Sequence, residues 1–341
     1  MAQHERFSLP QLQALPLSQK LILTKQRIEQ WYEYWDGMVY VSFSGGKDST
    51  VLKHIVDSMY DDVPAVFVDT GLEYPEIRQF ATNQKNVELV RPKMRFDEVI
   101  KKYGYPVTSK ALSRKIYYAR KGSSWAKKYI DGSAEYNGER SRYAVPKRFL
   151  PLLDAPFEIT PFCCDVMKKA PFREYERKTG RKPFVGVMAD ESEVRRQAWL
   201  RTGCNAFSGK TQKSQPMAFW TEQDVLQYIK QNKIEICSVY GEVVQQNEIE
   251  QINGQVSVFD MLNDYSSAEL TTTGCQRTGC IFCGFGCHLE KEPNRFQRLK
   301  ETHPRQYQYC IGGGEMVDGK WQPTKEGLGL AKVLDFINVE Y

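Results

Sequence analysis

Residues 42–50 read SFSGGKDST and combine the side chains that hold a phosphate group. Gly45 and Gly46 permit backbone angles closed to other residues, so successive N–H groups can converge on an anion. Hydroxyl donors and a cation surround them: Ser42, Ser44, Lys47 and Ser49. The spacing differs from the nucleoside-triphosphate loop G-x-x-x-x-G-K-[ST] and from G-x-G-x-x-G. The stretch predicts a phosphate site, with a simple glycine turn that caps a helix as the alternative.

A second group of reactive side chains is a run of cysteines near the C-terminal end. Four of them fall within thirteen residues at the spacing C-x4-C-x2-C-x3-C: Cys275, Cys280, Cys283 and Cys287. Thiolates so close in sequence can surround one metal centre, and both zinc and a [4Fe–4S] cluster take four thiolates. A zinc ribbon normally shows two separated C-x-x-C knuckles, and this run has one. The spacing favours iron–sulfur, with zinc as the alternative.

Hydrophobic runs predict the elements that position these groups. Strands are expected at 38–43, 64–70, 86–92 and 182–188, the first two of them buried, and helices are expected from about residues 48, 76, 96, 165 and 221. This alternation with short connections predicts an α/β fold built on a doubly wound parallel sheet. Ligands of such sheets bind at the carboxyl ends of the strands, where the phosphate loop follows its strand. The helix that begins at Asp48 adds its positive end to the anion site.

A basic and aromatic insert interrupts the alternation between residues 110 and 148. It holds eleven Lys and Arg residues against three Asp and Glu residues. Its aromatic residues include Tyr117, Tyr118, Trp125, Tyr129, Tyr136 and Tyr143. Cations neutralise backbone phosphates and aromatic faces stack on unpaired bases, so the insert predicts a nucleic-acid partner, tRNA or DNA. The alternatives are a solvated basic surface with inward-packed rings, or contacts to a nucleotide alone.

The composition and the apolar runs indicate the cellular location and the kinds of partner to expect. The chain has 341 residues and a net charge of +5, so bulk charge says little about partners. No apolar run approaches the roughly 18 residues of a membrane span, and the first residues lack a signal-peptide pattern. We expect a cytoplasmic protein without a membrane partner, in which clustered cysteines serve metal or redox chemistry. A soft boundary near residue 235 separates a nucleotide domain (1–235) from a Cys-rich, mostly irregular or helical region (236–341).

Five blocks together resemble the phosphoadenosine phosphosulfate (PAPS) reductase family. This family belongs to the N-type ATP pyrophosphatases (PP-loop proteins) of the adenine nucleotide alpha hydrolase-like (HUP) fold. The blocks are SGGKDS (44–49), FVDTGLEYPEIRQF (67–80), FCCDVMKKAP (162–171), GVMADESEVRR (186–196) and FWTEQDVLQYI (219–229). The resemblance implies cleavage of ATP between its α and β phosphates, with AMP transferred to a substrate oxygen and pyrophosphate released.

The resemblance also implies roles for individual residues. Lys47 and Arg195 or Arg196 would steady the departing pyrophosphate. Asp48 would hold Mg²⁺, with Asp69 and Glu191 as second candidates for contact with the metal or the ribose. The implied nucleotide-binding residues are Ser42, Ser44, Gly45, Gly46, Lys47, Asp48, Ser49, Asp69, Thr70, Gly71, Gly186, Ser192 and Arg196. In the adenylyl-sulfate (APS) reductase branch a tandem Cys-Cys and a distant Cys-x-x-Cys hold a [4Fe–4S] cluster.

By that analogy Cys164 joins the cysteine run as a ligand, and Cys163 or Cys287 is free to carry sulfur. The metal-ligand candidates are Cys164, Cys275, Cys280, Cys283 and Cys287.

Two departures from the PAPS reductases bear on the reaction. The reductases end in a tail such as Glu-Cys-Gly-Ile-His, whereas this chain ends LGLAKVLDFINVEY, and they usually carry a degenerate form of the loop that is complete here. The sequence therefore predicts an ATP pyrophosphatase that adenylates a substrate for iron–sulfur-assisted sulfur transfer to nucleic acid. The DNA-phosphorothioation pyrophosphatase and the tRNA-thiolating enzymes are similar, and a cysteine desulfurase is a candidate sulfur donor. A PAPS or APS reductase that releases sulfite is one alternative, and a non-catalytic nucleotide- and cluster-binding regulator is the other.

Overall fold

The computed structural model describes residues 8–209, 211–246 and 269–341, without the side chains of Tyr136 and Arg140. These residues form two compact units that alternate along the chain. The first unit falls within Met1–Asp69, Glu73–Arg91 and Phe172–Thr278, and the second within Thr70–Leu72, Pro92–Pro171 and Gly279–Tyr341. Residue 235 therefore lies inside the first unit. Part of the predicted Cys-rich region, residues 247–268, lies outside the described residues.

Thirteen helices occur among the described residues. They are α1 (Ser8–Gln13), α2 (Leu17–Tyr34), α3 (Lys47–Asp57), α4 (Pro75–Asn83), α5 (Phe96–Tyr103), α6 (Lys110–Arg120), α7 (Ser124–Asp131), α8 (Ala170–Thr179), α9 (Glu193–Thr202), α10 (Glu222–Asn232), α11 (Arg295–Thr302), α12 (Pro304–Ile311) and α13 (Leu330–Phe336). Short 3₁₀ turns occupy Lys147–Asp154, Ala189–Glu191, Ser238–Tyr240 and Cys287–Leu289, and a π turn occupies Asp165–Lys169. No helix in the described ranges combines the length and the apolar content that a membrane crossing requires.

The described strands are short and number fourteen. They are β1 (Val39–Phe43), β2 (Ala65–Val68), β3 (Val87–Val90), β4 (Val107–Thr108), β5 (Glu135–Tyr136), β6 (Glu139–Arg140), β7 (Lys182–Val185), β8 (Asn205–Ala206), β9 (Lys213–Ser214), β10 (Val243–Gln245), β11 (Leu270–Thr272), β12 (Gly284–Phe285), β13 (Glu315–Val317) and β14 (Lys320–Gln322). The four predicted strands are confirmed as β1, β2, β3 and β7. The first two are largely buried, whereas β3 is only partly covered and its Leu89 is 48% exposed. The helix predicted from residue 165 begins as the π turn and continues as α8.

The first unit is built on a six-stranded sheet in the order β3-β2-β1-β7-β9-β8. Neighbouring strands are parallel except for the edge pair β8 and β9. The chain runs outward from β1 through β2 to β3, and then returns to place β7 on the other side of β1. The predicted doubly wound α/β class is therefore confirmed. The loops after β1 and β7 both leave the sheet at its topological switch point, where such folds bind ligands.

Burial explains why β1 is central. Val39, Val41 and Phe43 are each at most 1% exposed, and Tyr40, which points to the other face, is equally buried. A parallel strand covered by helices on both faces reads as this kind of continuous apolar run. Helix α3 then packs its apolar face on the sheet, with Val51 fully buried. The phosphate loop is therefore held between two rigid elements.

In the second unit the later part of the cysteine run, Cys280 to Cys287, is fixed beside the start of the insert. Strand β12, between Cys283 and Cys287, pairs in parallel with β4. A Cβ on Gly284 would lie 2.3 Å from the carbonyl oxygen of Pro106, so this close pairing requires glycine. The N–H of Ile281 donates to the carbonyl oxygen of Leu72 over 2.8 Å. The C-x-x-C loop is thus attached at both of its ends.

Candidate functional site

The phosphate loop turns tightly from β1 into α3. Gly45 has φ of +71°, and a Cβ there would lie 3.0 Å from Cγ2 of Ile77. The N–H of Ser44 donates to Oγ of Ser49 over 3.2 Å, and the Ser49 hydroxyl donates to the carbonyl oxygen of Gly46 over 2.9 Å. No side chain caps the start of α3 at Gly46. The N–H groups of its first turn are thus left for an external anion to satisfy.

A pocket in the first unit brings most of the predicted phosphate site together. Seven predicted residues line it: Ser44, Gly46, Lys47, Asp48, Ser49, Gly186 and Glu191. Six further residues line it that the sequence did not assign: Met188, Glu222, Tyr240, Gln276, Arg277 and Thr278. Gly186 follows β7, so both loops of the switch point contribute. A Cβ on Gly186 would lie 3.1 Å from the carbonyl oxygen of Asp48, which explains glycine at this position.

Lys47 is held inside this pocket by two groups that sequence reasoning missed. Its Nζ lies 3.0 Å from Oε1 of Glu222, and its side chain is 6% exposed. The ammonium also lies 5.5 Å from the ring centroid of Tyr240, a cation–π contact. The Tyr240 hydroxyl is 2.6 Å from Oγ1 of Thr278. Burial raises the pKa of Tyr240 to about 12, so this hydroxyl keeps its proton at neutral pH.

The electrostatics of the pocket centre on Asp48. Burial, together with the charges of Glu191 and Glu222, raises the pKa of this carboxyl to about 6 against the opposing charges of Lys47 and Arg277. Among the described lining residues, three carboxylates therefore face two cations. A phosphate alone would meet net repulsion here, whereas a divalent cation complexed to it would reconcile the charges. Oxygen donors of this kind suit Mg²⁺.

The raised pKa of Asp48 predicts a pH-dependent gain in stability for Asp48→Asn. An acid whose folded-state pKa exceeds its unfolded value stabilises the fold below the unfolded pKa, and that contribution is lost as pH rises through the folded pKa. In EDTA the variant should match the wild type near pH 4 and exceed it by up to about 3 kcal/mol above pH 7. Urea unfolding at intervals between pH 4 and 8 measures this difference. The exposed Asp190→Asn is the control, and a gain for Asp48→Asn that is constant with pH would contradict the prediction.

The predicted residues that follow β7, within 186–196, have different structural roles. Glu191 lines the pocket, accepts a hydrogen bond from the N–H of Met188 over 2.9 Å, and is ion-paired to Arg195. The Ser192 hydroxyl caps α9 by accepting from the N–H of Arg195 over 3.3 Å. Arg196 lies on α9, partly buried. Ser192, Arg195 and Arg196 are not among the lining residues. Arg195 supports Glu191 through their ion pair, and Ser192 supports α9 as its cap.

The predicted residues after β2 do not line the pocket. Asp69 is buried, and its carboxylate accepts from Nε of Arg78 over 3.0 Å and from Nε of Arg91 over 3.2 Å. Burial acts in the opposite direction, but these two guanidinium groups hold the pKa of Asp69 below its usual range. Asp69 thus ties the ends of β2 and β3 to α4. Thr70 and Gly71 belong to the second unit, where the Thr70 hydroxyl accepts from the N–H of Leu72 over 3.1 Å.

Ser42 and Gly45 act through the backbone. Ser42 lies within β1, opposite Val66 of β2 and Val185 of β7. Gly45 supplies the left-handed turn that leads into α3. Neither contributes a lining side chain, and each positions the residues that do.

A thiol pocket lies in the second unit. Four cysteines line it: Cys163, Cys164, Cys280 and Cys283. Apolar neighbours such as Phe96 and Met167 complete the lining together with Lys168. Burial raises the pKa of the Cys163 thiol, and the three neighbouring thiols add to the shift. The tandem pair and the C-x-x-C pair are therefore close in space although more than a hundred residues apart in sequence.

The structure does not bring the other two predicted ligands into this lining. Cys287 is buried, its thiol donates to the carbonyl oxygen of Gly284 over 3.1 Å, and burial raises its pKa to about 11. Cys275 belongs to the first unit, where it packs against the hydrophobic core. Within the described ranges, no three His, Cys, Asp or Glu side chains are arranged to hold one metal ion.

The insert presents cations and aromatic rings on the same elements. Its helices α6 and α7 carry a series of rings, with centroids 5.6 Å apart for Tyr118 and Trp125 and 6.0 Å apart for Trp125 and Tyr129. Arg114 lies over the Tyr118 and Trp125 rings, and Lys115 lies over Tyr129. Trp125 is 39% exposed and Tyr143 is 57% exposed. The side chain of Tyr136, also predicted to contribute, lies outside the described residues.

One family model matches most of this chain, and known proteins resemble it in part. The phosphoadenosine phosphosulfate reductase domain family matches residues 38–142 and 147–284. The uncharacterized protein MJ0973 of Methanocaldococcus jannaschii is 31% identical over 121 residues, which cover 32% of this chain and 29% of that protein. The crystal structure of phosphoadenylyl-sulfate (PAPS) reductase from Candida auris, a phosphate complex, is 14% identical with a TM-score of 0.36. That match covers 78% of this chain and 98% of that one. The family match spans more than two thirds of the chain and includes every lining cysteine and every residue lining the phosphate pocket, so the chain belongs to the phosphoadenosine phosphosulfate reductase domain family.

Proposed function

We propose that this protein is an ATP pyrophosphatase that cleaves ATP to AMP and pyrophosphate and thereby activates a substrate for sulfur transfer. Family membership indicates a nucleotide-binding, sulfur-related enzyme. The observation that carries the finer proposal is the complete SGGKDS loop at the switch point, with Lys47 and Asp48 both lining its pocket. A loop of this composition suits two linked phosphates better than an isolated one, because hydroxyls, amides and a cation surround it on several sides.

The proposed reaction is an attack by a substrate oxygen on the α-phosphorus of ATP. A new P–O bond joins AMP to the substrate, the α–β P–O bond breaks, and pyrophosphate leaves with the bonding electron pair. Lys47 and the N-terminus of α3 would stabilise the negative charge that accumulates on the leaving group. Glu222 holds the Lys47 ammonium in place, so Lys47 is preorganised for this electrostatic role.

The charge of the pocket supports Mg²⁺ as the accompanying ion. Asp48 would hold it, with Glu191 and Glu222 close enough to act on the Asp48 carboxyl electrostatically. A bound Mg²⁺ would neutralise the β and γ oxygens of the nucleotide. Because burial keeps Asp48 partly protonated near pH 6, a cation that displaces this proton also removes an energetic penalty from the fold.

The thiol pocket supports a [4Fe–4S] cluster as the second cofactor. Thiolates in an apolar setting are the donors that such clusters prefer, and four cysteines line this pocket. Cys164, Cys280 and Cys283 were predicted ligands, and the lining adds Cys163 as the fourth. Zinc remains the alternative, but a single ion needs four thiols at one point. The cluster would hold or deliver the sulfur supplied by a donor such as a cysteine desulfurase.

The insert supports unpaired nucleic acid, tRNA or DNA, as the acceptor. Trp125→Ala and Tyr143→Ala should each weaken binding of a fluorescein-labelled single strand by about tenfold, because each removes an exposed ring on which a base would stack. Fluorescence anisotropy at fixed salt measures the affinity. Tyr34→Ala is the matched control, since Tyr34 is 58% exposed and lies on α2 outside the insert. Equal losses in the insert variants and the control would contradict a specific surface.

The proposed reaction is tested with anaerobically purified protein and α-labelled ATP, with and without nucleic acid. AMP and pyrophosphate formed in equal amounts support the proposal, and stimulation by nucleic acid supports the acceptor. PAPS is assayed in parallel. Release of sulfite from PAPS without α–β cleavage of ATP would overturn the proposal in favour of a sulfonucleotide reductase, and nucleotide binding without either reaction would favour a regulator.

A further inference from the structure

We propose that residues Gln276–Thr278 form a second phosphate-binding wall and that Arg277 binds the terminal phosphate of the nucleotide. This inference rests on the proposed ATP site. It assigns a phosphate-recognition role to three of the four residues that separate Cys275 from Cys280. In the sequence these residues are only the spacer of a cysteine run, whereas in the structure three of them line the pocket that also contains Lys47 and Asp48.

The wall is firmly anchored within the first unit. The N–H of Gly274 donates to the carbonyl oxygen of Tyr240 over 2.9 Å, and the N–H of Cys275 donates to that of Val239 over 2.8 Å. A Cβ on Gly274 would lie 2.4 Å from the Val239 oxygen, so only glycine allows this approach. The hydroxyl of Thr272 donates to the carbonyl oxygen of Cys275 over 3.0 Å. Three hydrogen bonds and one tight contact therefore fix the backbone just before Arg277.

The wall also contacts the elements of the phosphate loop. Thr278 and Tyr240 share a 2.6 Å hydrogen bond, and the Tyr240 ring lies against the Lys47 ammonium. A Cβ on Gly46 would lie 3.3 Å from the Tyr240 hydroxyl, which shows how closely this side chain approaches the loop. The loop and the wall are thus two sides of one cavity. A phosphate on the loop would face the wall.

Arg277 is the side chain of the wall that suits a phosphate ligand. It is exposed, it lines the cavity, and it makes no ion pair with any described residue. It lines the same cavity as Asp48, and its charge lowers the pKa of that carboxyl. Lys47, by contrast, is already paired with Glu222. A guanidinium group can bind two phosphate oxygens at once, and this geometry favours the terminal group of a pyrophosphate.

The experiment measures binding of pyrophosphate, ATP and AMP to the full chain by calorimetry with Mg²⁺ present. Arg277→Gln should weaken pyrophosphate and ATP about 10- to 100-fold, because it removes a charge-assisted pair of hydrogen bonds. AMP lacks the pyrophosphate group, so its affinity should change less than about threefold. Arg277→Lys should give an intermediate loss for ATP, because lysine keeps the positive charge but lacks the planar guanidinium group that donates two hydrogen bonds to one phosphate. Arg201→Gln, an exposed arginine on α9, is the control.

The outcomes separate this inference from the proposed function. Wild-type affinity for pyrophosphate in Arg277→Gln overturns the inference, even if the wild-type enzyme cleaves ATP. Binding of pyrophosphate that depends on Arg277, in a protein that never cleaves ATP, supports the inference and overturns the proposed function. An equal loss for AMP and ATP would also overturn the inference, because the arginine would then serve the fold or the nucleoside. Thermal unfolding of each variant shows whether it is folded. If Arg277→Gln is not folded, the affinity of Arg277→Lys for pyrophosphate tests the inference instead.

Discussion

Lys47→Met is expected to reduce ATP cleavage by about 100- to 1,000-fold while leaving the protein folded. The ammonium is the cation of the phosphate loop. Because the Lys47 side chain is only 6% exposed, solvent cannot compensate for the loss of its charge. Methionine keeps the length and apolar contacts of the lysine stem but lacks the charge that stabilises departing pyrophosphate. The measurement is single-turnover formation of AMP and pyrophosphate from α-labelled ATP.

Helix α3 contains a matched control for this variant. Lys53 lies on the same helix, is similarly buried, and is also paired with a partly exposed carboxylate, that of Asp57 at 2.5 Å. Lys53 does not line the phosphate pocket. Lys53→Met should therefore keep the rate within about threefold of wild type while removing a comparable ion pair. If both methionine variants lost activity equally, the effect would belong to helix stability, and the role proposed for Lys47 would be wrong.

Replacement of any one of the four pocket cysteines by serine is expected to abolish the iron–sulfur chromophore. Serine is a much harder ligand than a thiolate and binds these clusters poorly. Each variant purified without oxygen should lose the absorbance near roughly 400 nm, and its iron content should fall from about four atoms per chain to less than one. The variants are Cys163→Ser, Cys164→Ser, Cys280→Ser and Cys283→Ser.

The two cysteines outside the lining provide the controls for this prediction. Cys275→Ser and Cys287→Ser should retain iron, because their thiols lie against the core of the first unit and on the carbonyl oxygen of Gly284, respectively. Loss of iron in Cys275→Ser with retention in Cys163→Ser would instead restore the ligand set implied by the sequence resemblance. Zinc in place of iron in the wild-type protein would contradict the cluster itself.

The sheet and the phosphate loop were predictable because their signals are local. Strands β1 and β2 are buried, mostly apolar runs, and SGGKDS combines its glycines, hydroxyls and cation within six residues. Gly186 was identified through the family resemblance of the block 186–196, and the structure places it after the strand that pairs with β1. Local patterns do not show which strands pair when these are distant in sequence. Here the pairing of β1 with β7 brings the loops that follow them together.

The second wall of the pocket was not predictable from the same patterns. Tyr240 is one aromatic residue among many, and its role depends on a 3₁₀ turn and on a glycine more than thirty residues later. Arg277 lies within a cysteine run whose spacing indicates a metal site, and it was therefore not assigned a role in phosphate binding. Glu222 belongs to a block that was identified by resemblance, but only the folded chain places it 3.0 Å from Lys47. Likewise, the arginines that engage Asp69 come from α4 and from the end of β3.

The position of Tyr240 and Arg277 beyond residue 235 has a consequence for the evolution of this chain. A recombination event that exchanged the Cys-rich segment between two members of the family would also exchange one side of the phosphate pocket. The recipient would keep an intact SGGKDS loop beside a foreign wall. Viable exchanges should therefore transfer the loop and the 238–278 segment as one inherited module, and covariation between them should be stronger than between the loop and the insert.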